Sequence, residues 1–248
     1  DITNVTKSQL KELRRNMQII FQDPYSSLNP RMTVSELIAE PLVVNKVMKN
    51  RNQLKERVKE LMETVGLAAR LENVYPHELD GGRRQRIGVA RALSVNPKFI
   101  VCDEPVSALD VSIQAQVLNL LMDLQEQMGL TYLFITHNLS VVKHISDEIG
   151  VMYLGQMIER APSAELFARP AHPYTKALLS AIPAPVLGRQ GLESEALSGE
   201  LASPVEPKPG CRFAPRCPYA GEGCAAQDCS LQEIAPGHYC ACPMAGKL

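Results

Sequence analysis

The stretch KFIVCDEPVSALD, residues 98–110, joins a short apolar run to two adjacent acids and a turn. A short apolar run bounded by turn signals is typical of a strand, and one this apolar belongs in a sheet covered on both faces. Asp103 and Glu104 therefore lie at the carboxyl end of a strand, where open α/β sheets bind ligands. Paired carboxylates there suit a divalent metal ion and an activated water molecule, although two acids at a strand-to-turn boundary also occur without such a role.

Two more apolar runs flank this stretch. NMQIIFQDP (16–24) has an apolar centre that ends in Gln22 and a turn, and YLFIT (132–136) is followed at once by His137. The carboxyl ends of neighbouring parallel strands meet at one edge of a sheet, so we expect His137 to lie beside Glu104. A lone histidine is usually structural, but one that shares an edge with an acid pair is placed to sense a terminal phosphate.

Helical and irregular segments separate and follow these runs. Apolar residues at helical spacing from about Val111 to Met128, with Gly129 as a stop, predict the helix of a right-handed parallel crossover. IGVMYL (149–154) is a further β-rich run. Beyond Gln156 the sequence reads as helical with proline breaks, and residues 184–210 read as a linker. The pattern predicts an α/β fold around a parallel sheet.

Composition excludes several classes of protein. The 248 residues carry a formal net charge of −1, with 45% hydrophobic and 21% charged residues. This charge supplies no global field to hold nucleic acid or an anionic bilayer. No apolar run approaches the roughly 18 residues of a membrane span, and the N-terminus lacks a signal-peptide pattern. We therefore expect a cytoplasmic protein that contacts the membrane through protein partners.

Seven cysteines are unevenly distributed. Cys102 stands alone in an apolar run and is expected to be a small buried core residue, whereas the other six fall between Cys211 and Cys242. A disulfide cluster would suit a secreted protein, but without an export signal clustered thiols more often bind metal. The gaps are wider than the close pairs of structural zinc sites, and four thiolates in an irregular segment can enclose an iron–sulfur cluster. Zinc and unliganded thiols remain alternatives.

The residues from 66 to 121, GLAARLENVYPHELDGGRRQRIGVARALSVNPKFIVCDEPVSALDVSIQAQVLNLL, resemble the ATPase subunit of an ATP-binding cassette (ABC) transporter. FQDPYSSLNPRMTV (21–34) and the tail motifs PYTKALLSAIP, GCRFAPRCPYA and APGHYCAC narrow the resemblance to the dipeptide/oligopeptide importers. The resemblance implies a P-loop NTPase fold of the α/β class, with a parallel sheet core, a helical signature subdomain and a small irregular Cys-rich C-terminal region.

The same resemblance implies three parts along the chain. Residues 1–96 form the Q-loop and helical/signature part, residues 97–160 carry the Walker B, D-loop and switch histidine, and residues 161–248 are the peptide-importer extension with the cysteine cluster. We expect an ATP-binding and hydrolysing subunit that energises peptide uptake at the cytoplasmic face of the membrane, with ATP and Mg²⁺ as cofactors. Its expected partners are a second ABC ATPase subunit, two integral-membrane permease subunits and an extracytoplasmic substrate-binding protein, without nucleic acid.

Two alternatives compete with this function. One is a degenerate, mainly structural or regulatory partner subunit that carries a metal cluster. The other is a DNA-repair or chromosome ATPase of the same superfamily, but those proteins carry a long coiled coil or a zinc module before the signature. Only about 40 residues separate Pro41 from Gly82, which is too short for such an arm.

Individual roles follow from the resemblance at matching positions. Gln22 matches the Q-loop glutamine, which reaches Mg²⁺ and the attacking water and couples to the membrane subunits. Asp103 is the Walker B carboxylate for Mg²⁺, and Glu104 is the general base. Asp110 ends the D-loop, which crosses the dimer interface, and His137 is the switch histidine that contacts the γ-phosphate.

The signature motif departs from the family pattern LSGGQ. An aspartate in place of the serine puts a negative charge near the γ-phosphate, and two charges about 4 Å apart repel by several kcal/mol at an effective dielectric of about 20. We predict a weakened composite site and, because two weakened sites would leave no strong one, an unlike partner subunit. The alternative is that Arg83 or Arg84 neutralises the aspartate. The five signature positions are Leu79, Asp80, Gly81, Gly82 and Arg83.

A second departure concerns the phosphate-binding loop. No G-x-x-x-x-G-K followed by Ser or Thr occurs in the 248 residues. The chain starts with Asp1, at a point that corresponds to the run into the Q-loop. The sequence therefore predicts a C-terminal fragment of the family's domain that is inactive in isolation and does not bind ATP tightly.

The resemblance also assigns the cysteine tail. The importer motif has four cysteines, implying a 4Fe–4S cluster with zinc as the alternative, and the two remaining cysteines are additional, although either could replace the last ligand. The four matching residues are Cys211, Cys217, Cys224 and Cys242, and the additional ones are Cys229 and Cys240.

Overall fold

The structure is a computed structural model that describes residues 2–182, 209–221, 223–224 and 229–245. The chain divides into two compact units, residues 1–137 and residues 138–248. The predicted linker at 184–210 lies almost entirely outside the described residues, and the predicted three-part division stays a prediction. Within the described part of the chain, no helix is long and apolar enough to cross a membrane.

The first unit is built on a three-stranded parallel sheet. The strands are β1 (Met17–Ile20), β2 (Phe99–Asp103) and β3 (Thr131–Ile135), in the order β1-β2-β3. Ile20, Ile100 and Cys102 are buried, whereas the alternate residues along each strand are more exposed. One face of the sheet therefore contributes to the core, whereas residues such as Leu133 are exposed on the other, so the described residues do not cover both faces as the apolar runs predicted. The carboxyl ends of all three strands meet at one edge, in agreement with the prediction.

Five α-helices complete the described part of this unit, residues 2–137. Each of the three that form a helical layer begins at a polar cap: Thr33 forms a capping box with Glu36, and Asn50 and Asp80 cap the next two through their side chains. Buried leucines and isoleucines fill the space between them, which stabilises the layer through the hydrophobic effect. The helices are α1 (Lys7–Asn16), α2 (Val34–Val44), α3 (Arg51–Thr64), α4 (Gly81–Leu93) and α5 (Val111–Met128).

Helix α5 has the bounds that the sequence predicts. It ends at Gly129, whose φ of 63° lies in the left-handed region that glycine adopts without a Cβ penalty. The helix connects β2 to the parallel strand β3, so it is the predicted crossover. Its buried residues Val117, Leu121 and Leu124 recur at helical spacing.

The second unit contains a four-stranded antiparallel sheet in the order β4-β5-β7-β6. Leu154 and Gly155, both with positive φ, form the tight turn between the first two strands. Tyr153, Ile158 and Phe213 lie in its buried core. The elements are α6 (Leu139–Ile145), β4 (Glu148–Tyr153), β5 (Gln156–Pro162), α7 (Ser163–Ala168), α8 (Pro173–Ser180), β6 (Gln232–Ala235) and β7 (His238–Cys240).

This sheet corrects two expectations. The residues after Gln156 were expected to be helical, but they first form strand β5. The cysteine region was expected to be irregular, yet β6 and β7 add to the same sheet. The pairing of Glu159 with Cys240 joins residues far apart in sequence, which is a contact that a local pattern does not reveal.

Candidate functional site

Three predicted catalytic residues meet at the carboxyl edge of the parallel sheet. Gln22 donates a hydrogen bond from Nε2 to Oε2 of Glu104 over 2.7 Å. His137 Nδ1 lies 3.0 Å from Oε1 of the same carboxylate. Each oxygen of Glu104 thus has one partner, contributed by the segment after β1 or after β3. The strand ends predicted that His137 would lie beside Glu104, whereas the role of Gln22 was implied only by the family resemblance and its contact with Glu104 was not predicted.

The backbone of Glu104 is held in an unusual conformation. Its φ is 42°, in the left-handed region that non-glycine residues rarely adopt. Its amide donates to the Ile135 carbonyl at 2.9 Å, and its carbonyl accepts from the amide and hydroxyl of Ser107 at 3.2 and 3.1 Å. These bonds hold the strained turn that projects the carboxylate, and such strain is typical of functional sites. The role of Ser107 was not predicted.

Electrostatics favour the ionised form of Glu104. The hydrogen bond with His137 is the largest cause that lowers the pKa of this carboxyl below its ordinary value, opposed by desolvation and assisted by Ser107 and Gln22. The His137 side chain is 75% exposed, so its remaining ring nitrogen faces solvent. The site therefore holds a negative charge beside an accessible imidazole.

Asp103 and Asp110 lie on either side of this carboxylate in sequence. Asp103 is the last residue of β2 and is paired in register with Ile135. It alternates with buried Cys102 and therefore faces the more exposed side of the sheet. Asp110 is the exposed N-cap residue of α5. Both positions are compatible with the assigned metal and D-loop roles, which remain predictions.

The signature motif forms the start of α4. Asp80 accepts a hydrogen bond from the Arg83 amide at 2.8 Å, and its second oxygen lies 3.3 Å from Arg83 Nη1. Arg84 instead donates to the Pro76 carbonyl at 2.7 Å, with its guanidinium 5.0 Å from the centre of the Tyr25 ring. Asp80 thus keeps the capping role of a serine, and its charge is paired with Arg83. This is the arrangement that the alternative of a neutralised signature requires.

The signature glycines are closely packed. A Cβ on Gly81 would lie 3.0 Å from Leu109 of the D-loop, and one on Gly82 would lie 2.6 Å from Cγ2 of Ile113 in α5. Leu79 is buried before the helix begins. The contact with Ile113 was not predicted, because it lies more than 30 residues away along the chain. It places the signature directly against the start of the crossover helix.

The second unit contains a cavity that we call the cysteine pocket. It is lined by the four predicted ligands together with His172, Phe213, Pro243 and other residues. Cys211 donates its amide to the Cys224 carbonyl at 2.8 Å. Burial raises the pKa of Cys217 and of Cys242, and neighbouring thiols add to the effect.

The two additional cysteines do not line this pocket. Cys240 is buried in β7, where burial raises its pKa to about 12. Cys229 is also buried, and its carbonyl accepts a hydrogen bond from Gln156 at 3.0 Å. Burial raises the pKa of Cys229 to about 11, and neighbouring thiols, including Cys211 through a side-chain hydrogen bond, add to the effect. Cys229 thus lies beside the cysteines of the pocket and stays a possible substitute ligand, as predicted for both additional cysteines.

The pocket is not arranged as a metal site. Among the described residues, no group of three or more His, Cys, Asp or Glu side chains is placed to hold a metal ion. Four cysteine sulfurs are nonetheless the donor set that soft metal centres prefer. The expected iron–sulfur cluster and the alternative zinc ion thus fit the chemistry of the residues but receive no support from their arrangement.

Comparison with known proteins shows which family has these features. Residues 1–107 match the ABC transporter family, and residues 158–224 match the oligopeptide/dipeptide transporter C-terminal region. The oligopeptide transport ATP-binding protein AppF of Bacillus subtilis (strain 168) is 52% identical over 248 residues, which cover 98% of this chain and 74% of that protein. The chain belongs to the ATP-binding proteins of ABC transporters.

Solved structures agree with this ABC fold. The chain is similar to cbiO1 from Clostridium perfringens, part of the ABC transporter complex cbiONQ, with a TM-score of 0.60, 26% identity and coverage of 66% of this chain and 64% of that one. It also resembles the ATP-binding cassette MJ0796 in a dimeric post-hydrolysis state with ADP and Pi, with a TM-score of 0.56, 28% identity and coverage of 64% and 68%. The predicted ABC ATPase fold is confirmed.

The family assignment also confirms the predicted class of function. The chain is the ATP-binding type of subunit in ABC transporters, a family of ATP-hydrolysing proteins. The comparisons do not support the alternative of a mainly structural or regulatory partner subunit. The individual site residues of this ABC protein stay predictions.

Proposed function

We propose that this chain supplies the ATP-hydrolysing chemistry of a peptide importer. The observation that carries the proposal is that Gln22 and His137 both contact the carboxylate of Glu104 at the edge of a parallel sheet. The peptide cargo is supported by AppF, which is named for oligopeptide transport, and by the match to the oligopeptide/dipeptide C-terminal region.

Glu104 orients the attacking water in this mechanism. Its ionised carboxylate accepts a hydrogen bond from the water, which is thereby aligned with the γ-phosphorus and the departing ADP oxygen. The water proton moves toward the Glu104 oxygens as the new bond to phosphorus forms. Because Gln22 and His137 each hold one of these oxygens, the carboxylate cannot rotate freely away from the water.

His137 and Asp103 act on the phosphate side. His137 Nδ1 faces Glu104, which leaves Nε2 directed to solvent, where it contacts the terminal phosphate. Asp103, with Gln22, would hold Mg²⁺, which would neutralise charge on the phosphate oxygens. The exposed Asp110 faces the second ATPase subunit through the D-loop.

The test is Glu104→Gln in the complete transporter. We expect the variant to retain ATP and lose turnover, because an amide orients water poorly and accepts no proton. Glu126→Gln, which changes an exposed carboxylate on α5, is the matched control and should hydrolyse ATP normally. Normal turnover by the Glu104 variant would remove this residue from its role.

The signature residues 79–83 are proposed to bind ATP held by the partner subunit. The weakened composite site remains the prediction, but the ion pair between Asp80 and Arg83 supports the alternative of a functional site. ATPase turnover should rise in Asp80→Ser if the charge weakens the site. Unchanged turnover in Asp80→Ser would count against a weakened composite site. A loss of turnover in Arg83→Ala alone would show that Arg83 compensates the negative charge of Asp80.

The partners are proposed from the family. They are two integral-membrane permease subunits, a second and unlike ATPase subunit and an extracytoplasmic substrate-binding protein, assembled at the cytoplasmic face of the membrane. The segment after Gln22 is the proposed permease contact, since it presents the strongly exposed aromatic residue Tyr25. Loss of permease binding without loss of fold in Tyr25→Ser would support this contact, and unchanged binding would contradict it.

We further propose that Cys211, Cys217, Cys224 and Cys242 hold a 4Fe–4S cluster, with zinc as the alternative. The support is the four-sulfur donor set around one cavity. The thiols would have to shift into ligating positions and lose their protons. Anaerobic purification followed by iron, sulfide and zinc analysis distinguishes the two metals, and a metal-free protein with neither would refute both.

A further inference from the structure

A fully buried carboxylate lies beside the cysteine pocket and has no part in the proposed ATP chemistry. Glu159 is on β5 and has no exposed surface. Its Oε1 accepts from the Ala171 amide at 2.7 Å and from Nε2 of His238 at 2.8 Å, and its Oε2 accepts from the His172 amide at 2.9 Å. A buried charge is costly unless hydrogen-bond donors compensate it. The three donors around Glu159 therefore indicate that the fold specifically holds a carboxylate at this position.

The donors come from two separate segments, one that lines the pocket through His172 and one that leads to Cys242 in its wall. The first contains Ala171 and His172 and leads into α8, and the His172 ring lines the pocket. That ring lies 5.8 Å from the centre of the Phe213 ring, which also lines the pocket. Its Nδ1 accepts from the Tyr174 amide at 3.1 Å, which fixes the orientation of the imidazole.

The second segment is β7, which carries the chain to the last cysteine. His238 begins this strand, Cys240 ends it, and Cys242 follows two residues later in the pocket wall. Glu159 and Cys240 are also paired in register between β5 and β7. The Ala241 amide donates to the Ile158 carbonyl at 2.8 Å, which continues the attachment up to the residue before Cys242.

We propose that Glu159 is the positioning residue of the cysteine pocket: its carboxylate ties the His172 wall to the Cys242 wall and thereby sets the spacing of the four thiols. An amide cannot replace it, because glutamine has one acceptor oxygen, and its NH₂ group would face a backbone N–H donor. The proposal rests on the cysteine pocket, and its relevance to a metal centre rests on the proposed function.

The primary test measures thiol protection in metal-free, reduced protein. Individual cysteines are alkylated with iodoacetamide and followed by mass spectrometry. In Glu159→Gln we expect Cys242 to react about tenfold faster or more, since buried charge-assisted hydrogen bonds that close the wall are lost. Cys102, buried in the first unit, reports global unfolding and should stay protected.

The matched control is Glu165→Gln. This carboxylate belongs to the same unit and pairs with Arg169 at 3.6 Å on the surface of α7. Its loss should leave the alkylation rate of Cys242 unchanged. Equal rates at Cys242 in wild type and in Glu159→Gln would overturn the proposal.

Variants of His238 keep the test decisive if Glu159→Gln fails to fold. His238→Ala removes one donor and leaves both backbone amides on Glu159, so Cys242 should become more reactive while Cys211 and its hydrogen-bonded neighbour do not. His238→Gln restores an N–H donor and should reverse the increase. Identical Cys242 rates in the two variants would show that the contact does not position the wall.

Metal binding provides an independent readout. After anaerobic reconstitution with ferrous iron and sulfide, the visible thiolate-to-iron absorption should be reduced or shifted in Glu159→Gln and normal in Glu165→Gln. If wild type takes up no iron yet the alkylation difference holds, the cluster is refuted and the positioning role stands. If iron is bound with the same spectrum in all variants and alkylation is unchanged, the positioning role is refuted and the cluster stands.

Discussion

Gly82 offers a quantitative test of how the signature motif is packed. It is the second residue of α4, and a Cβ added there would lie 2.6 Å from Cγ2 of Ile113 and 3.5 Å from Oδ1 of Asp80. Since ordinary carbon contacts are about 3.5–4.0 Å, Ile113 would have to retreat by about 1 Å. Because the β-branched side chain of Ile113 has few alternative rotamers, part of this movement requires a shift of the α5 backbone.

The expected cost follows from two opposing effects. Overpacking of this kind destabilises by about 1–3 kcal/mol, while replacing glycine by alanine in a helix gains up to about 1 kcal/mol. We therefore expect Gly82→Ala to lower the free energy of unfolding by about 1–2 kcal/mol. Gly88, in the same helix, has no atom within 4 Å of a built Cβ, so Gly88→Ala should raise it by about 0.5–1 kcal/mol.

Urea denaturation followed by far-UV circular dichroism measures both variants. A double-mutant cycle with Ile113→Ala isolates the contact, because removing Cγ2 makes room for the new methyl group and should recover most of the loss. The reasoning is refuted if Gly82→Ala is at least as stable as Gly88→Ala, or if Gly82→Ala costs the same with and without Ile113. Either result would mean that the signature helix is not held against α5 at this distance.

Three further predictions concern the site, the thiols and the core. His137→Ala should raise the pKa of Glu104 toward its ordinary value, because the hydrogen bond with His137 is the largest cause that lowers it. The ionised carboxylate stabilises the native state until the pH falls through its native pKa, so in the variant this contribution is lost at a higher pH. A carbon-13 NMR titration that shows the same Glu104 pKa in both proteins would contradict this. Burial raises the pKa of Cys102 to about 12 and also raises the pKa of Cys217. Native Cys102 should therefore resist iodoacetamide at pH 8, and the alkylation rate of Cys217 should keep increasing above pH 9. Alkylation of either residue at the rate of a free thiol would contradict this prediction. Leu93 is fully buried at the end of α4, so Leu93→Ala should lower the free energy of unfolding by about 2–5 kcal/mol in urea denaturation. A loss below about 1 kcal/mol would indicate a poorly packed helical layer.

Much of the parallel sheet was predictable because its signals are local. Short apolar runs marked three strands, and periodic residues with a final Gly129 marked helix α5 within its observed bounds. The rule that parallel strands end at one edge then predicted that Glu104 and His137 would meet, as they do at 3.0 Å. The strained φ of Glu104 had no local signal, since glutamate does not favour positive φ.

The C-terminal unit was less predictable because its elements depend on distant partners. The segment after Gln156 contains both polar and apolar residues, and only pairing with β4 and β7 makes it a strand. Glu159 has no sequence signature, since its three donors come from positions 171, 172 and 238.

The amino-acid sequence alone was enough to identify the ABC family, the acids at the end of β2 and the unusual aspartate in the signature. Each of these features is a short pattern of residues that are neighbours along the chain. Which arginine pairs with Asp80, which glycines tolerate a methyl group and which cysteines share a cavity were decided by folding. These are matters of a few tenths of a nanometre between segments tens of residues apart. Such distances arise when side chains exclude water and satisfy buried polar groups together.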